Sequence, residues 1–122
     1  VVMTDVESGP LAIEAERIAQ SAEVLSMVVD VSKLDEIEAM HAATLERFGA
    51  AHVLCNNAGV GGGGDVADCP IDMWEWVLNV DLWGVIYGCS RLAATGLTTS
   101  QSSVWSLCRR RSPRKSPIPG SA

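Results

Sequence analysis

The chain opens on VVMTD, a short β-branched run that predicts a strand over 1–5. Ser8-Gly9-Pro10 then opens a helix, with Pro10 near the first helical position, where its missing N–H costs nothing. Leu11, Ala15, Ile18 and Ala19 line one face of it. A second strand is predicted over 23–30, EVLSMVVD. Ser32 can cap the next helix, with Asp35 three positions on completing a capping-box-like pair. Leu34, Ile37, Met40, Ala43 or Thr44, and Phe48 recur at helical spacing, and Gly49 is a natural stop. A third strand is predicted over 51–57, AHVLCNN, nearly all apolar until its end.

A Gly-rich loop follows, AGVGGGGDVADCP. A long helix then runs from about Ile71 into the nineties, with Trp74, Leu78, Leu82, Val85, Ile86 and Cys89 on its apolar stripe. The order β-α-β-α-β-loop-α, with strands apolar on both faces, implies an α/β fold: an open parallel sheet with flanking helices and right-handed crossovers. The pattern stops near Ser90–Arg91. The remainder is rich in Ser, Thr, Arg and Pro without a sustained period, and reads as a disordered tail. Two segments result, 1–90 and 91–122.

Charge sharpens that division. Residues 1–90 carry all fifteen acids and only three bases, Arg17, Lys33 and Arg47; residues 91–122 carry six bases and no acid. An acidic body argues against a nucleic-acid-binding core, because phosphate affinity needs clustered positive charge. The basic run 109–115, RRRSPRK, resembles a targeting or phosphate-binding stretch, although unselected sequence reads equally well there. At 122 residues with 48% apolar and 20% charged positions, the chain suits one soluble domain at most. No apolar run approaches the roughly 20 residues that span a bilayer, and VVMTDVESGP has no positive n-region, so a cytoplasmic, membrane-free protein is expected.

Cys55, Cys69, Cys89 and Cys108 form no Cys-x-x-Cys pair and fit no zinc spacing, so free thiols are expected. His41 and His52 lie on different elements and read as structural or surface residues, with no metal expected.

Three strand ends carry polar residues where the chain is otherwise apolar: Asp5, then Asp30-Val31, then Asn56-Asn57-Ala58-Gly59. Ligands of open parallel sheets bind just beyond the C-terminal strand ends. A carboxylate there can accept both ribose hydroxyls of an adenosine and repels a 2′-phosphate. A lone Asp would more simply be a turn residue; three polar tips at successive ends point to a shared site.

On these residues the chain resembles the short-chain dehydrogenase/reductase family, the one-domain Rossmann oxidoreductases. Asp5 matches the end of that fold's second strand, Asp30-Val31 the third and NNAG the fourth, and DMWEWVLNVDLWGVIYGC (72–89) matches the following helix. The resemblance implies a partial Rossmann fold holding strands 2 to 4, and hydride transfer between a nicotinamide and an alcohol or ketone. It implies that Asp5 binds the ribose hydroxyls and favours NAD over NADP. Asp30 and Val31 would flank the adenine, and Asn56, Asn57, Ala58 and Gly59 would line the ribose and nicotinamide side. Relatives of this family are typically homo-oligomers. Trp74, Trp76 and Trp83 are accordingly expected in core and interface packing.

The departures matter as much. The phosphate-cradling Gly-rich turn follows the family's first strand, and this chain reads as beginning after it. Gly59, Gly61 and Gly64 mimic G-x-G-x-x-G, but that motif needs a helix opening at the third Gly, and the next helix starts after Pro70. The family's Tyr, with a Lys four residues on and a Ser upstream, is absent: the only Tyr is Tyr87, and Arg91 stands four residues later. Asp81, not Asn79, occupies the family's catalytic Asn position. The resemblance therefore implies an inactive fragment; a non-enzymatic cofactor-binding or dimer-interfering role is the alternative.

The abrupt change near residue 90 suggests an out-of-frame end, which the other reading frames would test. Without the family's first strand, the second and fourth strands would face each other across about 10 Å. Either that gap collapses or apolar edges stay open.

Overall fold

Parallel pairing of neighbouring strands demands a crossover, and the chain supplies it at once. The computed structural model describes residues 1–62 and 64–93. β1 (Val2–Asp5) and β2 (Leu25–Val28) pair in parallel, with Val2 opposite Leu25 and Asp5 opposite Val28. The ladder runs on beyond both ends: Leu25 N–H donates to the Val1 carbonyl at 2.9 Å, and Val29 N–H to the Asp5 carbonyl at 3.1 Å. Helix α1 (Ser8–Ala19) bridges the two strands and buries Leu11 and Ala15.

Helix α2 (Leu34–Phe48) buries Ile37 and Thr44. The Thr44 hydroxyl donates to the Met40 carbonyl at 2.7 Å, so this polar residue is satisfied on a buried face. Gly49 ends the helix with a left-handed φ of 74°, and its N–H returns to the Leu45 carbonyl at 2.8 Å. After a short 3₁₀ turn at Val66–Asp68, helix α3 (Ile71–Leu78) runs through a π turn (Asn79–Trp83) into α4 (Gly84–Ala93). Gly84 N–H reaches back five residues, to the Asn79 carbonyl.

The α/β architecture expected from the pattern is present: a short parallel sheet with flanking helices. Four local expectations are corrected. Residues 51–57 form no strand, and residues 50–59 make no backbone–backbone hydrogen bond among the described residues. A strand exists only against a neighbour, and among the described residues the sheet has two strands. Pro10 is the third residue of α1 rather than the first; that N–H would also have lacked an intrahelical partner. Ser32 does not cap α2, whose N-cap is Lys33.

The fourth correction concerns the long helix. Its buried positions are Val80, Gly84 and Gly88, whereas Trp74, Leu78, Leu82 and Ile86 are 40–49% exposed and Cys89 is exposed. Trp76 and Trp83 are likewise exposed, so these three tryptophans are not core residues. Small residues face inward because the loops after β2 and at 54–56 lie directly on the helix backbone. The predicted tail lies, from residue 94 onward, outside the described residues.

Candidate functional site

The parallel register puts the C-terminal ends of β1 and β2 on one rim, with Asp5 at the tip of β1 and Asp30 two residues beyond Asp5's partner Val28. Asp5 is exposed, and its Oδ1 accepts the Glu7 N–H at 2.9 Å, which turns the chain into α1. Its second oxygen has no protein partner among the described residues.

Asp30 is committed differently. Its Oδ1 accepts both the Ser32 N–H, at 3.0 Å, and the Ser32 hydroxyl, at 2.7 Å. Its own N–H donates to Glu36 Oε2 at 2.7 Å, while Lys33 Nζ sits 2.9 Å from Glu36 Oε1 and 3.7 Å from Asp30 Oδ2. The Ser32 hydrogen bond holds the Asp30 carboxyl below its ordinary value despite partial desolvation, with Lys33 assisting. Glu36 is lowered first by the Asp30 N–H and then by Lys33, and Lys33 is raised mainly by Glu36. This knot makes the β2–α2 turn that the sequence assigned to a Ser32–Asp35 box.

The NNAG run is held by the long helix instead of by a sheet. Asp81 Oδ1 accepts the Val60 N–H at 2.9 Å, and Gly59 passes against the same carboxylate. One turn on, a Cβ at Gly84 would stand 2.9 Å from Val31 Cγ2 and 3.2 Å from the Val31 carbonyl. One turn further, a Cβ at Gly88 would stand 2.6 Å from Asn56 Oδ1 and 3.2 Å from Leu54. Asn56 Nδ2 also approaches Cys89 Sγ at 3.5 Å. Asn57, Ala58 and Gly59 are exposed.

Two groups therefore emerge. Asp5 and Asp30 share a strand-end rim, and Val31 shares a helix face with Asn56 through Val60. Val31 belongs to both, because it directly follows Asp30. The sequence missed Gly84 and Gly88; their spacing of four on a helix was the available signal.

A family profile described as enoyl-(acyl carrier protein) reductase matches residues 1–110. The chain belongs to the short-chain dehydrogenase/reductase family. Among curated relatives, the 1-deoxy-11-beta-hydroxypentalenate dehydrogenase of Streptomyces arenae is 37% identical over 86 residues, covering 68% of this chain and 30% of that protein. A short-chain dehydrogenase/reductase of Burkholderia phymatum, solved in complex with NAD, superposes with a TM-score of 0.74 at 39% identity, covering 76% of this chain and 34% of that one. An actinorhodin polyketide ketoreductase solved with NADPH gives a TM-score of 0.75 at 31% identity, over 79% of this chain and 37% of that one. The chain thus spans about a third of the length of these short-chain dehydrogenase/reductase relatives. Among its described residues, no helix is long and apolar enough to cross a membrane.

Proposed function

We propose that residues 1–90 are the cofactor-facing part of an NAD-dependent short-chain dehydrogenase/reductase that moves hydride between a nicotinamide and a small alcohol or ketone. The observation that carries this reading is the exposed Asp5 carboxylate, with one oxygen uncommitted, on the same rim as Asp30. A free carboxylate oxygen at a strand end fits a ribose diol and disfavours a 2′-phosphate, hence NAD over NADP. Asp30 is spent on its own turn, so it shapes the adenine flank together with Val31 instead of accepting from it. Among the described residues, Asn56 to Gly59 carry backbone groups without backbone partners, which fits a segment that lines the ribose and nicotinamide side. Asp81 acts by fixing Val60. A bound nicotinamide would supply the hydride chemistry; the residues here bind and orient it.

Alone, the chain is inactive in this reading. Tyr87 stacks on Trp83 with centroids 5.8 Å apart, and Arg91, four residues on, is paired with Glu38 at 2.7 Å. Neither can act as a proton-shuttling Tyr with an adjacent Lys. Exposed free thiols at Cys55 and Cys89 fit a reducing, cytoplasmic setting.

Titration with NAD and NADP tests the assignment. Binding of NAD about tenfold tighter than NADP is expected, with Asp5→Ser removing that preference, roughly 1.4 kcal/mol. Equal affinities, or an unchanged preference in Asp5→Ser, would overturn it.

The exposed Trp74, Trp76 and Trp83 favour a second reading, a dimer-interfering fragment. Retention of a full-length relative by the chain, lost on Trp76→Ser, would distinguish it from a purely cofactor-binding one.

A further inference from the structure

Along β2 and just past it, Leu25 and Val29 donate their N–H groups to the first strand, so Asp30, next in the alternation, turns its N–H away from it. Glu36 receives that N–H: its Oε2 lies 2.7 Å away, from a position six residues on. Glu36 is the third residue of α2, where a glutamate ordinarily reaches back to the N–H of the N-cap. Here the N-cap is Lys33, and its N–H already donates to the Asp30 carbonyl at 3.0 Å. Glu36 therefore does not close the helix start; it reaches past it to the strand end. Its second oxygen is occupied as well, with Lys33 Nζ 2.9 Å from Oε1, so both ends of the carboxylate are fixed. The next residue, Val31, is held from the other side. A Cβ on Gly84 would stand 2.9 Å from Val31 Cγ2 and 3.2 Å from the Val31 carbonyl. Asp30-Val31 is thus clasped between α2 and α4.

We propose that Glu36 is a positioning residue for the adenine half of the cofactor. It acts through Asp30: by accepting that N–H while Lys33 braces its other oxygen, it sets the backbone on which Val31 is presented to the base. This rests on the function proposed above, in which Asp30 and Val31 flank the adenine. A flank already held in place binds without the cost of ordering it, so the contribution falls on affinity for the adenine end. The nicotinamide end, assigned to Asn56–Gly59, is tied down separately by Asp81 and is not touched by Glu36. What position 36 must supply is an acceptor at the right reach, more than a charge.

The test titrates the whole chain with two halves of the dinucleotide, adenosine 5′-monophosphate and nicotinamide mononucleotide, which share a ribose phosphate and differ in the base. Glu36→Ala should weaken the adenosine nucleotide about tenfold and leave the nicotinamide nucleotide within about twofold. Glu36→Gln retains an acceptor oxygen at the same reach and should bind the adenosine nucleotide within about twofold of the parent. Glu36→Asp keeps the charge and the helix start but is one methylene short of the Asp30 N–H. It should weaken the adenosine nucleotide as alanine does, and it carries the test if Glu36→Ala loses its helical circular dichroism. Unchanged adenosine-nucleotide binding in Glu36→Ala or Glu36→Asp would overturn the proposal and leave the cofactor reading standing. An equal fall for both nucleotides would overturn it too, since that marks a general loosening of the fold. So would Glu36→Gln binding as weakly as Glu36→Ala, which would make charge the operative property. A parent chain that binds no adenosine nucleotide at about 5 mM would overturn the cofactor reading and this proposal together.

Discussion

The Asp81 carboxylate accepts the backbone N–H of Val60 at 2.9 Å, across 21 residues of sequence. It sits in the π turn at Asn79–Trp83, where the helix is locally widened, and it ties the end of NNAG to the helix. Asp81→Asn keeps an acceptor oxygen and should leave this tie in place. Asp81→Ala should free the loop, costing about 1 kcal/mol and raising Val60 amide exchange about fivefold. Exchange measured on the two variants side by side checks the difference.

Gly84 and Gly88 should respond unequally to alanine. At Gly84 the new Cβ meets Val31 at 2.9 Å and its carbonyl at 3.2 Å, so backbone must move. We expect a net loss of about 1–3 kcal/mol, although alanine is the better helix former. At Gly88 the closest atom, Asn56 Oδ1 at 2.6 Å, ends a rotatable side chain. Gly88→Ala should cost less in a urea melt, and should shift the Asn56 side-chain amide resonances as that group turns away from Cys89.

The turn after β2 should give way on acidification. Asp30 and Glu36 both titrate below their ordinary values of 3.8 and 4.5, so the stability they contribute is present above those values and lost as pH falls through the lowered folded values. Lys33 is raised above 10.5, so its share is present at neutral pH and lost only at strongly alkaline pH. Unfolding midpoints followed from about pH 7 down to about pH 3 should fall for the parent chain. They should fall less steeply in Ser32→Ala and Glu36→Gln, which begin with less to lose.

Much of the architecture was legible in local pattern. The β-branched run at 1–5, the helical spacing over 34–48 and the stop at Gly49 are each decided within one element. What local pattern could not show was pairing. AHVLCNN has a strand's composition but, among the described residues, no backbone partner to complete a ladder, and so it forms no strand. Nor could the apolar stripe of the long helix reveal its inward face, because contact is made where side chains are smallest, at Gly84 and Gly88. The polar tips stood out because they interrupt apolar runs. Their division of labour did not: one carboxylate is left open at Asp5, and the other is consumed by Ser32. That division depends on neighbours in three dimensions.

In the function proposed above, Asp5, Asp30-Val31 and Asn56–Gly59 serve one nicotinamide nucleotide. The most direct measurement is amide chemical-shift mapping of the whole chain titrated with NAD to about 5 mM, a range suited to a weak, partly formed site. Saturable shifts confined to Asp5–Glu7, Asp30–Val31 and Asn56–Val60, absent in Asp5→Ser, are expected. Shifts scattered elsewhere, or none across that range, would contradict it.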